Sequence, residues 1–244
     1  MVRFRGSSVA VLLVCSCVLA ACGSSKSSSN TTASGSGGSS SQPPSKTAAA
    51  AAANAINLKA ADIPGSTASP NPSKPGALDA ELASCAGTAS PSTAIVNLNS
   101  PTLDVGSGLQ QQSYSSNVIA MPSQSIVSRD LVAIKSAKGR SCVQSLLPKA
   151  IAQSGNGQVK FGGATLASLA ATTPPGADGS FAYRLTISAT AGGQRFPIVI
   201  DEFGLAVGRL ELRLSDFGIN QPVSTANEQR LLALLANRAA ANKV

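Results

Sequence analysis

The sequence predicts a single α+β domain, an antiparallel β-meander packed against helices, and three observations carry that expectation. The C-terminal half holds four apolar-rich runs, 159–171, 181–189, 196–203 and 205–214, separated only by short turns, so they read as sequential hairpins. Apolar residues recur at helical spacing upstream, in Val127, Leu131 and Ile134, and again near the end, in Leu231, Leu234 and Leu235. Helical and strand-like runs are segregated along the chain, and residues 54–244 amount to one domain. No internal repeat interrupts them.

Taken in order, the chain begins with Arg3 and Arg5, an apolar run from Val9 to Val18, and the short box Leu19-Ala20-Ala21-Cys22. That sequence of charge, apolar core and small residues has the form of an export signal. The 13 residues from Val9 to Ala21 fall short of the roughly 20 needed to cross a bilayer. An ordinary secretory signal is the alternative, and the serine-rich run directly after Cys22 stands against it. The box resembles the lipobox of bacterial lipoprotein precursors. The resemblance implies that residues 1–21 are a signal peptide cleaved before Cys22. It also implies diacylglycerol on the Cys22 thiol, with an acyl chain such as palmitate on the new amino terminus. Two or three chains hold a protein at a membrane far more durably than one. The expected location is the extracytoplasmic face of the cell membrane, with the membrane as a partner through the anchor.

Residues 22–53 are expected to be a lipidated cysteine and a tether, because Gly23 to Thr47 is nearly all Ser, Gly, Thr, Asn and Pro. A coil of that length reaches about 25–30 Å. Ala48 to Ala53 has high helix propensity and either opens a first helix or frays, so the domain boundary is set at Asn54. Asp62-Ile63-Pro64-Gly65 is a turn, and Pro70 to Gly76 an irregular loop. Leu78, Leu82 and Cys85 then share one helical face, and strands follow at Leu103–Val105 and Gln111–Met121.

Ser123 is placed to cap the helix carrying Val127, Leu131 and Ile134, and Gly139 to end it. A second helical stretch turns Val143, Leu147, Ala150 and Ile151 inward, with Cys142 in its first turn and a bend at Pro148. In the meander, Phe181, Tyr183, Leu185 and Ile187, and likewise Leu210, Leu212 and Leu214, alternate with Arg184, Arg209, Glu211 and Arg213, which predicts one wetter face. Gly192-Gly193 fits one hairpin turn and Gly204 a second. Thr225-Ala226-Asn227-Glu228 reads as a capping box for a final helix that covers the sheet.

Composition excludes several chemistries. The chain has 19 basic and 11 acidic side chains; losing Arg3 and Arg5 leaves 17 against 11, a charge of +6, without a basic cluster interleaved with aromatics. Nucleic acid is therefore not an expected partner. Of five cysteines, Cys15 and Cys17 leave with the signal and Cys22 is lipidated, so Cys85 and Cys142 pair as a disulfide in an oxidising compartment. With no histidine, the usual zinc, copper and haem sites and the Ser-His-Asp and Cys-His nucleophiles are absent, and no metal, cofactor or catalytic residue is expected. Asp201-Glu202 is the one adjacent acidic pair; beside Gly204 it reads as strand-end turn chemistry, its side chains on opposite faces. Gly155-Asn156-Gly157 and Gly162-Gly163 lack the lysine of a phosphate loop.

Asp62-Ile63-Pro64-Gly65, Cys85-Ala86-Gly87, Ser100-Pro101 and the helix from Ser123 to Cys142 followed by a meander resemble actinobacterial cell-envelope lipoproteins over most of residues 54–240. The domain is also loosely similar to the extracellular sensor domains of mycobacterial receptor Ser/Thr kinases. That similarity implies helices and a twisted antiparallel sheet around a ligand cleft; those sensors carry two disulfides where this chain can form one. The leading expectation is a non-enzymatic, sensor-like module that binds an envelope ligand or partner between sheet and helices. A carrier of lipid or another hydrophobic ligand is the alternative, and a hydrolase the third.

Overall fold

The meander returns the chain, strand by strand, from the far edge of a sheet to the strand it left. In the computed structural model, which describes residues 42–71, 77–154 and 159–244, the strands are β1 Thr67–Ser69, β2 Val96–Asn99, β3 Thr102–Val105, β4 Gln112–Ala120, β5 Lys160–Ser168, β6 Gly179–Ala191, β7 Gln194–Val207 and β8 Leu210–Ile219. They form one antiparallel sheet in the order β1-β3-β4-β8-β7-β6-β5. β2 and β3 follow one another along the same edge of β4, interrupted at Ser100-Pro101. After β4 the chain leaves the sheet through two helices, re-enters at β5 and winds back until β8 pairs with β4 over nine residues, from Gln112↔Gly218 to Ala120↔Leu210.

Among the described residues, five α-helices complete the fold: α1 Lys46–Ile56, α2 Ala77–Ala86, α3 Gln124–Lys135, α4 Ala137–Ser154 and α5 Thr225–Ala241. α1 and α5 pack on one face, where Leu210, Leu212, Leu214, Phe203 and Leu205 meet Ile56, Leu231 and Leu235. α2, α3 and α4 lie over the other face, and Ile119 and Ala206 pack there with Val127 of α3. The α+β expectation therefore holds, with helices on both sides of the sheet. The single wetter face does not. Register is the reason: Tyr183, Glu202 and Ser215 lie in one row across β6, β7 and β8, so the apolar set of β6 faces α3 while Leu210, Leu212 and Leu214 face α5. Each face thus carries apolar surface that must be covered.

Several local features differ from the sequence reading. The folded body starts before Asn54, because α1 begins at Lys46 and buries Ala49, Ala52, Ala53 and Ile56 in the core. Its end is pinned by a buried network: Asn57 Nδ2 donates to the Leu98 carbonyl at 3.0 Å, Ser116 Oγ donates to Asn57 Oδ1 at 2.8 Å, and Leu58 N–H donates to Ser116 Oγ at 2.9 Å. Gly139 does not end α3. It lies in the first turn of α4, where a Cβ would strike the carbonyls of Ala133 and Ile134, so glycine there lets the two helices join tightly. Gly204 is mid-strand, under the Phe181 ring; the second hairpin turn is at Gly208, φ +59°, between Val207 and Leu210. Gly192-Gly193, with φ of 57° and 81°, makes the first as expected. The cap of α5 is Ser224, whose Oγ accepts from Asn227 N–H, so Glu228 is not in a capping box. The short strands β1 and β2 were not expected from the sequence.

Candidate functional site

A cleft of about 400 Å³ opens between the sheet and the helices α2, α3 and α4. The pairing registers lay out its floor. One row across β6, β7, β8, β4 and β2 is Phe181, Gly204, Arg213, Asn117 and Asn99. The next is Gly179, Ala206, Glu211, Ile119 and Asn97, and on the other side lie Tyr183, Glu202, Ser215 and Ser115. Asn117 Nδ2 donates to both Asn97 Oδ1, at 2.6 Å, and Asn99 Oδ1, at 2.7 Å, which locks the three amides into a ladder. The walls are apolar, with Leu82 from α2, Leu131 and Ile134 from α3, and Val143 and Leu147 from α4. Because strand side chains alternate, polar residues at these odd positions of β4 and β8 can line a cleft while their even neighbours fill the core.

Two aromatic rings close one side. Phe181 and Tyr183 stand 5.4 Å apart between centroids, and Tyr183 Oη donates to the Ile134 carbonyl at 2.8 Å, tying the end of α3 to β6. Glycine at 204 is what admits the Phe181 ring against the sheet, since any Cβ there would overlap it. The Cys85–Cys142 disulfide joins α2 to α4 with Cα atoms 5.8 Å apart, fixing two helices that wall the cleft. It closes a loop whose ends are 57 residues apart in sequence, which restricts the unfolded chain by about 4 kcal/mol.

Four carboxyls line this cleft, the exposed Asp79 of α2 at its rim and Asp130, Glu202 and Glu211 deeper in. Asp130 Oδ2 accepts from Ala89 N–H at 2.9 Å, holding the segment after α2 onto α3. Glu211 is pushed up to about 7 by burial; the Asp130 carboxyl adds to the rise and Arg213 opposes it. Glu202 is also raised by burial, against a 2.6 Å hydrogen bond from Ser215 Oγ and the charge of Arg213. The expected site residues fall into two groups. Cys85 and Cys142 are brought together as predicted, whereas Leu19, Ala20, Ala21 and Cys22 lie outside the described residues. Arg213 was read from the sequence only as facing away from Leu210, Leu212 and Leu214, and Asn97, Asn99 and Asn117 were not singled out; polar residues at alternate positions of β2 and β4 were the available signal.

With that geometry in view, the chain shows a likeness to a solved structure. It is to the crystal structure of the extracellular domain of PknH from Mycobacterium tuberculosis, at 8% identity and a TM-score of 0.41, covering 81% of this chain and 97% of that one. No residue, ligand or role is carried over from it. No family model matches the chain, and no curated protein does. Among the described residues, no helix is long and apolar enough to cross a membrane.

A second polar cluster occupies the opposite face, under α5. Arg184, Asp201, Asp216 and Tyr114 form one row across β6, β7, β8 and β4, and Glu228 descends on it from the first turn of α5. Arg184 Nε donates to Asp201 Oδ1 at 2.7 Å, and its Nη2 reaches the other oxygen. Asp201 and Glu202 do point to opposite faces as predicted, but from the middle of β7 rather than from a turn. Burial pushes Asp216 up to about 9, with Asp201, Glu228 and Glu202 adding to the rise and Arg184 opposing it. Glu228 is raised to about 7 by burial and by its hydrogen bond to Asp201.

Proposed function

We propose that this chain is an extracytoplasmic module, held at the cell membrane by lipid on Cys22, that binds a small ligand without transforming it. The cleft carries the reading. Its volume of about 400 Å³ lies within the range of small-molecule sites, and it pairs a hydrogen-bonding floor with hydrocarbon walls. Asn97, Asn99 and Asn117 present amides and Ser115 and Ser215 hydroxyls to the cleft, so the floor suits neutral hydrogen-bonding groups such as amides and hydroxyls. The ligand class is therefore amphiphilic, polar along one edge and hydrocarbon along the other. The disulfide supports an oxidising compartment, and Leu19-Ala20-Ala21-Cys22 supports lipid attachment.

Native mass spectrometry of the protein extracted from membranes tests the binding reading. A small bound mass that is lost from Asn117→Ala supports it, a diacyl lipid adduct would replace it with the carrier alternative, and a repeatedly clean apo mass removes both. Cys22→Ala should move the protein from the detergent phase to the aqueous phase; unchanged partition overturns the anchor. One observation favours a second, enzymatic reading: Glu211, held near neutrality beside Asp130 in the cleft, has the protonation behaviour of a general acid. Turnover of a glycoside or ester probe that vanishes in Glu211→Gln would establish that reading instead.

A further inference from the structure

We propose that Asp201, Asp216 and Glu228 bind a divalent cation of the hard, oxygen-preferring class, calcium above all, which staples α5 to the sheet. One carboxylate oxygen from each of the three lies within 4.8 Å of the others. Three points so spaced share a centre within about 2.8 Å of each, close to the 2.3–2.6 Å of calcium–oxygen bonds. The donors are all oxygen, which selects against the soft and borderline metals that prefer sulfur or imidazole.

A cluster of acids alone would not carry this, and the decisive observation is what the buried oxygens lack. Asp216 is 2% exposed and Glu228 3%, yet Asp216 Oδ2 and Glu228 Oε1 have no hydrogen-bond partner. Glu228 Oε1 has only a 3.9 Å ion-pair contact with Arg184. The Arg184 guanidinium pairs with both oxygens of Asp201 and makes no hydrogen bond to Asp216 Oδ2. Buried carboxylate oxygens of native proteins find a partner, so two left open within a cluster whose three carboxyls approach one another mark the place of one. Charge gives the same answer. With all three carboxyls ionised around a bound ion, their charge against one guanidinium is −2, which one divalent ion balances, the ion displacing the protons that burial otherwise favours on Asp216 and Glu228. Asp201 keeps lone pairs for it, because a carboxylate offers about four acceptor sites. Asp201 and Asp216 are cross-strand partners on β7 and β8, whereas Glu228 belongs to α5, so the ion joins helix to sheet.

Isothermal titration of the intact, disulfide-bonded protein, stripped with EDTA, tests the site with calcium, magnesium and manganese chlorides. The expected result is one calcium per chain with Kd of about 10⁻⁴–10⁻³ M, the range of extracellular calcium modules. Ten millimolar calcium should then raise the unfolding midpoint by about 4–8 °C. Asp216→Asn or Glu228→Gln should abolish both effects, and Glu81→Gln, an exposed carboxylate on α2, should change neither. Should Asp216→Asn not fold, Glu228→Gln and the titration of the wild-type protein decide. Absence of binding by any of the three ions at 10 mM overturns the proposal. Binding of undiminished affinity in Glu228→Gln overturns the assignment, and stabilisation by acid but not by metal would mean that protons neutralise the cluster instead.

Discussion

Replacing Glu211 by Gln tests the electrostatics of the cleft most directly. The side chain projects from β8 into the space between the sheet and α3, where burial and the Asp130 carboxyl raise its pKa from 4.5 to about 7 and Arg213 opposes them. A raised carboxyl stabilises the fold fully below its unfolded value and loses that contribution as pH rises through its folded value. The window here is pH 4.5 to about 7. Two and a half pH units correspond to about 3 kcal/mol, of which about 2 kcal/mol is lost between about pH 5.5 and 7.5. Glutamine keeps a neutral hydrogen-bonding group without a charge to bury. Urea unfolding at a series of pH values, with the disulfide intact, should show a gap between variant and wild type that is small near pH 5 and widens towards pH 8, in favour of the variant. A gap that stays constant across that range would refute the reasoning, because some other group would then be titrating.

Three further outcomes follow from the geometry. Gly204→Ala should destabilise by about 1–3 kcal/mol, since its Cβ must displace the Phe181 ring; calorimetry of Gly204→Ala alone and combined with Phe181→Leu should show partial recovery in the double variant. Arg238 on α5 holds Asp62 with two hydrogen bonds of 2.8 and 2.7 Å; burial would raise Asp62, but Arg238 and the Lys59 N–H hold it below its ordinary value. Arg238→Ala should therefore cost about 1–3 kcal/mol at neutral pH, less as pH falls through the depressed Asp62 value, and a double-mutant cycle with Asp62→Asn should return a coupling of the same sign. Cys142→Ser should lower stability by up to about 4 kcal/mol in chemical denaturation, and reducing agent should affect the wild-type protein but not this variant.

Much of the architecture was legible because local patterning and global packing agree. Val127 recurs with Leu131 and Ile134 at helical spacing, and α3 does lay that stripe against the sheet. Gly192-Gly193 needed positive φ and has it. Gly204 misled because a glycine that admits a neighbouring ring and a glycine that turns a chain look alike in sequence. Glu228 misled for a related reason: three residues after a threonine it resembles half of a capping box, whereas Ser224, one residue earlier, takes the cap and leaves Glu228 facing Asp201.

The sequence by itself determined the elements with strong periodicity, the absence of histidine chemistry, and the pairing of Cys85 with Cys142, because these rest on composition and local pattern. Only the tertiary structure decided which face each strand presents. A shift of one residue in register exchanges the two faces of a strand, and nothing within a single strand records its partner's phase. That phase sets Asn99, Asn117 and Arg213 in one row on the cleft floor, and Arg184, Asp201 and Asp216 in another beneath α5. Both clusters are assembled from strands far apart in sequence, so each becomes visible only once β8 is paired with β4 and β7.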